Sequence, residues 1–309
     1  MATAISPLTD LEKIEFGEIE PPASSGEPIS KIIVASYNIR YAVGRFLISG
    51  GLRRKLGLSM KNRERVVAEN IRTAAAAFSS DLLLPRVDVL ALQEADKRTA
   101  RAGGHHVARE LAETLGTAWV HLPAGIPRGQ KPVARQWWLD FEEPIELYDE
   151  GDTGVALLSR FPMSEVTRID LPWQECPWRP RLAMAATVRP GNSSLRIINA
   201  HVDPHAGVGG QLEQFEVLLE HAERSTQPTL ILGDFNTLSK RKAVETRNFL
   251  ESRGYTTPFV TGTPTWRGAG IRLHADWIFG RGAKISRWGV ARPLNVSDHW
   301  PVWAEIDVS

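Results

Sequence analysis

Six short stretches of this 309-residue chain end an apolar run with an acid, an asparagine or a histidine. They are Ser36-Tyr37-Asn38, Leu92-Gln93-Glu94, Asn199-Ala200-His201, Gly233-Asp234-Phe235-Asn236, Ala275-Asp276-Trp277 and Ser297-Asp298-His299. A buried strand has no need of its own to finish in a carboxylate. Burying an unpaired charge is costly, so such acids pair, take a metal or sit at a functional rim. Taken singly, each has an ordinary explanation. Asp234 and Asp298 suit a turn after a strand, Glu94 suits an arginine partner, and His201 alone suits a hydrogen-bonded core histidine. The recurrence of the pattern is what argues for a shared role. Oxygen donors without a Cys/His cluster fit Mg²⁺ or Mn²⁺ rather than structural zinc. Hydrolysis of a phosphate ester needs a Lewis acid, a positioned water and stabilisation of developing charge. Carboxylates, histidine and asparagine supply all three.

These residues need strands to hold them. KIIVASYNIRY, from Lys31, is β-branched and apolar and reads as a buried strand ending near Asn38. VDVLALQEA (87–95), GVALLSRFP (154–162), RLAMAATVR (181–189), LRIINAHVD (195–203), PTLILGDFN (228–236), HADWIFG (274–280) and HWPVWAEIDV (299–308) read the same way. Apolar residues at 3–4 spacing predict helices over 66–78, with Val67, Ile71, Ala74 and Phe78, and over 208–223, with Leu212, Phe215 and Leu219. Further helices are expected over 104–115 and 240–252. Strands and helices alternate without regular βαβ units, which predicts an α/β chain of sheets packed together with helices outside.

Composition narrows the setting. Apolar residues make up 42% and charged residues 24%, enough for a large core. The formal net charge is +1, so binding of nucleic acid by bulk charge is not indicated, although a local basic patch remains open. The lone Cys176 excludes an internal disulfide. The first residues lack a secretory pattern, and no apolar run approaches the ~20 residues of a membrane span. A cytoplasmic, soluble monomer is expected. Residues 1–30 are acidic, with Asp10, Glu12, Glu15, Glu18, Glu20 and Glu27 against Lys13 alone, and read as a mobile leader. A short strand around Ile14 to Phe16 is left open. Residues 31–309 read as one catalytic domain.

YNIR, LQEAD, GVALLSRFP, NAHVD, LGDFN, HADWIF and SDHWPV, in this order, resemble the endonuclease/exonuclease/phosphatase superfamily. The resemblance runs from about residue 31 to 308. It implies a four-layer α/β/β/α sandwich, two mixed sheets face to face, with the site at one rim. It also implies roles. Glu94 would be the chief metal ligand, with Asn38 nearby and Asp298 assisting. His299 would contact the scissile phosphate, oriented and kept charged by Asp276. Asp234 would position or deprotonate the attacking water, and Asn236 would donate to a phosphoryl oxygen. His201 stands where relatives carry a phosphate-contacting His or Tyr, and Arg181 opens a strand where relatives often carry an arginine.

The implied activity is Mg²⁺-dependent hydrolysis of a phosphate ester, with diesters favoured because most relatives cut them. The substrate would be nucleic acid or phospholipid. A phosphomonoesterase on the same site and an inactive binding module are the alternatives. Two departures bear on the substrate. Ile39-Arg40-Tyr41 stands where repair endonucleases usually have an acid, and the disulfides usual in secreted deoxyribonucleases are missing. The basic and apolar insert 42–62 reads either as a flap gripping phosphate or a membrane surface, or as a loop tucked on the domain. Trp137, Trp138, Trp173 and Trp178 suit base stacking or a lipid interface, but loop anchoring is preferred. Asp203 and His205 are expected to structure their loop, and Cys176 to be inert.

Overall fold

The computed structural model describes residues 14–18, 29–44, 62–126, 143, 145, 149–172, 180–268 and 270–308. Most of the insert (45–61), the four loop tryptophans, Cys176 and most of the leader lie outside the described residues.

One sheet has seven strands: β1 (Glu15–Gly17), β2 (Lys31–Asn38), β3 (Val89–Gln93), β4 (Ala118–Pro123), β5 (Gly154–Ser159), β13 (Lys284–Val290) and β14 (Val302–Asp307). They run in the order β1-β4-β5-β3-β2-β14-β13. The other has β6 (Met163–Leu171), β7 (Arg181–Val188), β8 (Leu195–His201), β9 (Thr229–Asp234) and β12 (Asp276–Arg281), in the order β12-β9-β8-β7-β6. A hairpin of β10 (Trp266–Gly268) and β11 (Ile271–Leu273) stands apart. Helices α1 (Arg63–Ser79) and α2 (Val107–Leu115) pack with the seven-stranded sheet, and α3 (Val208–Ala222) and α4 (Lys240–Ser252) with the five-stranded one. The expected α/β/β/α sandwich is the architecture found.

The central strands are continuous apolar runs because both of their faces are covered. Along β2, Ile32 and Val34 join the core between the sheets, while Ile33, Ala35 and Tyr37 join Val67, Ile71 and Phe78 beneath the helices. This is the two-residue period of a strand serving two cores. Polar side chains join the sheets as well. Gln93 Nε2 donates to Asn199 Oδ1 (2.7 Å), and Asn199 Nδ2 donates to the carbonyls of Leu92 and Ala156 (2.9 Å each). Every partner is buried, so each of these groups would be costly to leave unmatched.

Strands β4, β6 and β13 and the hairpin were not expected from the sequence. In β6, MSEVTRIDL, buried and exposed positions mix, and β13 is mostly solvated on an edge. Such half-wet edges carry little apolar signal. Strand β1 adds to the edge of β4, pairing Glu15 with His121 and Gly17 with Trp119. Among the described residues, no helix is long and apolar enough to cross a membrane.

Candidate active site

Strand direction and register bring the chemistry to one rim. β2 and β3 are parallel and end level, Asn38 beside Gln93. β8 and β9 are parallel and end level, His201 beside Asp234. β12 is antiparallel to β9 and starts with Asp276 opposite Asp234. Gly233 makes the approach of β9 to β8 possible: a Cβ there would lie 2.0 Å from the Ala200 carbonyl oxygen. A glycine is therefore required in LGDFN for a packing reason, independent of the chemistry beside it.

Two residues of the rim leave their strands in the left-handed region, Glu94 (φ 51°) and Asn236 (φ 49°). For a glutamate this costs about 1–3 kcal/mol, which the surroundings must offset. Around Glu94 they do so through its carbonyl, which accepts the Tyr41 N–H at 2.9 Å, and through the Asp96–Arg101 ion pair two residues on.

The two sheets meet directly at the site. Asn38 Nδ2 donates to Asp234 Oδ2 (2.8 Å), while Asn38 Oδ1 accepts the Arg40 N–H (3.0 Å). His299 Nδ1 lies 2.9 Å from Asp276 Oδ2, within the range a direct Asp–His contact requires. His299 Nε2 lies 3.8 Å from Asp234 Oδ2. His201 Nε2 lies 3.6 Å from the same Asp234 oxygen and 3.8 Å from Glu94 Oε1. Arg181 Nη1 donates to the His201 ring, 3.0 Å from Nε2. Asn38, Glu94, Arg181, His201, Asp234, Asp276 and His299 thus form one contiguous group.

Asn236 and Asp298 belong to the rim by different contacts. Asn236 Nδ2 gives one hydrogen to the Val202 carbonyl (2.9 Å), and its backbone N–H goes to Asp234 Oδ1 (2.9 Å). The second amide hydrogen is the one that suits a phosphoryl oxygen. Asp298 Oδ2 accepts the Trp266 indole N–H (3.1 Å) and lies 3.4 Å from Arg40 Nη1. Sequence reasoning assigned no site role to Arg40, Trp266 or Thr265. The Thr265 hydroxyl takes the N–H groups of Ala275 and Asp276, and so fixes where Asp276 begins. The only signal was the position of Thr265-Trp266-Arg267 shortly before HADWIF.

Electrostatics separate the roles. Burial disfavours a charged His299, but the carboxylates of Asp276 and Asp234 outweigh it and hold the ring protonated. Burial pushes the Asp234 carboxyl up, to about 7, against the pull of His299. Asp234, Asp276 and His299 offer ligand atoms within 4.8 Å of one another, a group able to hold a cation. A protonated His299, however, is a donor on both nitrogens and has no lone pair for a metal. Glu94, Asn38 and Asp298 carry oxygen donors, the kind of atom that a hard divalent ion takes. Asp203 and His205 share a tight turn, His205 N–H to Asp203 Oδ1 at 2.9 Å.

The structure is similar to several solved ones. An endonuclease/exonuclease/phosphatase from Beutenbergia cavernae has TM-score 0.62 at 16% identity, covering 91% of this chain and 72% of that one. The human Nocturnin catalytic domain has TM-score 0.57 at 16% identity, covering 96% and 98%. A mannosyl-6-phosphatase from Bacteroides thetaiotaomicron has TM-score 0.56 at 18% identity, covering 89% and 99%. At these identities the likeness speaks for the fold alone. No curated protein matches the chain in sequence. Residues 35–299 match the model of the Endonuclease/Exonuclease/phosphatase family, and the chain belongs to that family.

Proposed function

We propose that this protein is a divalent-metal-dependent phosphodiesterase that directs water in line onto phosphorus. The observation that carries the reading is the convergence of Asp276, His299 and Asp234, from three separate segments, with Asn38 bridging from the other sheet. Glu94, Asn38 and Asp298 would hold Mg²⁺ or Mn²⁺. The ion would serve as a Lewis acid for the charge that develops on the phosphoryl oxygens.

The chain's own groups account for the rest. Asp276 fixes the His299 ring through Nδ1 and leaves Nε2–H to donate to a phosphoryl oxygen as negative charge grows there. Asp234 can accept a proton from the attacking water, because burial brings its proton affinity near neutrality. Asn38 holds the other side of that carboxylate and limits its rotation. Arg181, itself buried, orients His201, and the two suit a second oxygen of the substrate phosphate. Asn236 contributes its remaining amide hydrogen.

A phosphomonoesterase is the second reading, supported by the similarity of the fold to a mannosyl-6-phosphatase. An inactive binding module is disfavoured, because none of the residues needed for hydrolysis is substituted. The test is a panel in Mg²⁺: bis-p-nitrophenyl phosphate, p-nitrophenyl phosphate, DNA, RNA, sphingomyelin and phosphoinositides, each with the native chain and with His299→Ala. Turnover of a diester that disappears in the variant is expected. Turnover of monoesters alone would favour the second reading, and no turnover at all would remove the enzyme assignment.

A further inference from the structure

Asp203 follows the end of β8, two residues after His201, and its side chain is fully buried. Its Oδ1 accepts the His205 N–H (2.9 Å), which closes the turn through Pro204. An asparagine would make that bond without bringing a charge into the interior. Oδ2 is buried and has no hydrogen-bond partner among the described residues. A carboxylate so placed is costly unless a cation stands near it. The turn accounts for the oxygen and leaves the charge unexplained.

The cation within ion-pair range is Arg181. Its Nε lies 4.0 Å from Asp203 Oδ1, and the two side chains are 2% and 0% exposed. β7 runs antiparallel to β8 with Leu182 opposite His201, so Arg181 stands at the strand end from which His201 and Asp203 emerge. Arg181 Nη1 meets His201 Nε2 at 3.0 Å. That nitrogen lies 3.6 Å from Asp234 Oδ2 and 3.8 Å from Glu94 Oε1. Glu94, Arg181 and His201 line one small cleft. The backbone of Asp203 is held as closely. Its N–H donates to Gln214 Oε1 and its carbonyl accepts Gln211 Nε2 (2.9 Å each), both from buried side chains of α3. The same Gln211 nitrogen reaches the Asn236 carbonyl (3.1 Å) and ties this turn to the LGDFN loop. Lys242 of α4 is a second cation nearby, and its Nζ donates to the Pro204 carbonyl (2.9 Å).

We propose that Asp203 is a positioning residue of the site: its carboxylate fixes the Arg181 guanidinium from the Nε edge and so aims the Nη edge, with His201, at the substrate phosphate. The inference rests on the phosphohydrolase reading and adds a second acid–cation pair to it. Asp276 orients His299, and Asp203 orients Arg181. A guanidinium already held by an acid has less freedom to lose when an anion arrives. Without Asp203 the substrate itself must order Arg181, so the loss falls on binding rather than on the chemical step.

Two measurements test it, both in Mg²⁺. The first is calorimetric titration with inorganic phosphate. Asp203→Asn keeps an acceptor for the His205 N–H and removes the charge. It should weaken phosphate binding about tenfold, as Arg181→Gln should. The two together should be little worse than Arg181→Gln alone, because the acid then has no guanidinium to hold. A role confined to the turn would cost the same factor with or without Arg181, and that additivity would overturn the proposal. Unchanged binding in Asp203→Asn, or no phosphate binding by the native chain, would overturn it as well. Lys242→Gln should bind phosphate like the native chain. A loss there as large as that of Asp203→Asn would move the partner of Asp203 to α4 and end the Arg181 assignment. The second measurement is kcat and KM for bis-p-nitrophenyl phosphate. Asp203→Asn should raise KM about tenfold and change kcat by less than about threefold. A fall in kcat at unchanged KM counts against the proposal. If no ester is hydrolysed at all, the phosphohydrolase reading fails and the phosphate titration alone decides the role of Asp203. Asp203→Ser, which also keeps an acceptor for the turn, replaces Asp203→Asn should the latter fail to fold.

Discussion

Two buried histidines of this protein are held in opposite states of charge. His299 sits against Asp276, with Asp234 beyond, and these carboxylates keep it protonated despite burial. His121, in β4, has no carboxylate in contact among the described residues. Its Nε2 meets the Ala95 carbonyl at 2.7 Å, its Nδ1 has no partner among the described residues, and the His106 ring lies 5.1 Å away. Burial, then the charge of His106, push His121 down to about 3. Burial always opposes the imidazolium, and only a paired acid reverses the outcome. An apolar strand with a histidine is therefore silent about charge until its partners are known.

The largest effect should come from the acidic rim around His299. Excess EDTA is expected to reduce hydrolysis of bis-p-nitrophenyl phosphate to background, and Glu94→Gln to do the same with the circular dichroism unchanged. Full activity in EDTA would break the oxygen-donor assignment. Next, His299→Ala should lower kcat by about 10²–10⁴-fold, and Asp276→Asn by less. The double variant should be little worse than His299→Ala, because an orienting acid has nothing left to orient. Clean additivity of the two losses would show that the pair does not act as a unit.

The neutral histidine should act on stability instead. The folded value for His121 lies below the ordinary 6.5, so the unfolded chain binds the extra proton between pH 6.5 and about 3. Its contribution is complete above pH 6.5 and is lost as pH falls through that window. His121→Gln should therefore reduce the difference in unfolding free energy between pH 7 and pH 4 by on the order of a few kcal/mol. Urea unfolding at the two pH values measures this, and an undiminished difference would assign the acid sensitivity elsewhere. His274, pushed to about 4 mainly by burial, is the next candidate.

The smallest expected effect lies beside His121. Glu15 of β1 reaches Lys97 (2.7 Å) and His106 (2.9 Å). Burial opposes its charge, but hydrogen bonds from Lys97 and His106 prevail and lower it to about 2. The carboxylate is partly solvated, so Glu15→Gln should cost less than about 1 kcal/mol at pH 7. That loss should vanish as pH falls from 4.5 toward 2, where the native side chain is also protonated. A larger loss, seen by thermal unfolding, would make the docking of β1 a major support of the fold.

Strands covered on both faces and strands with solvated positions differed in how well they could be read. β2, β3, β5, β7, β8, β9 and β12 are apolar on both faces, and that pattern needs no knowledge of neighbours. β6 and β13 are edges with solvated positions, and the hairpin of β10 and β11 is three residues a side. Each pairs with its neighbour in the chain, β6 with β7, β10 with β11 and β13 with β14, but short length and solvated positions leave little apolar pattern to read. The site followed the same division. Asn38, Glu94, His201, Asp234, Asp276 and His299 stood out as polar ends of apolar runs. Arg40, Thr265 and Trp266 did not, because arginine, threonine and tryptophan in a loop are ordinary until a partner is seen.

The sequence by itself determined the chemical types at the rim, the strands that end there and the order of the motifs along the chain. It also required a glycine before Asp234, although only the 2.0 Å approach to Ala200 shows why. The tertiary structure alone decided which groups meet. Asn38 and Asp234 are 196 residues apart, and His299 and Asp276 are 23 apart. Whether an imidazole is charged, or a carboxylate holds its proton near neutrality, depends on distances and burial set by such remote pairings. Electrostatic energy varies with separation and with the exclusion of water, and neither is a property of local sequence.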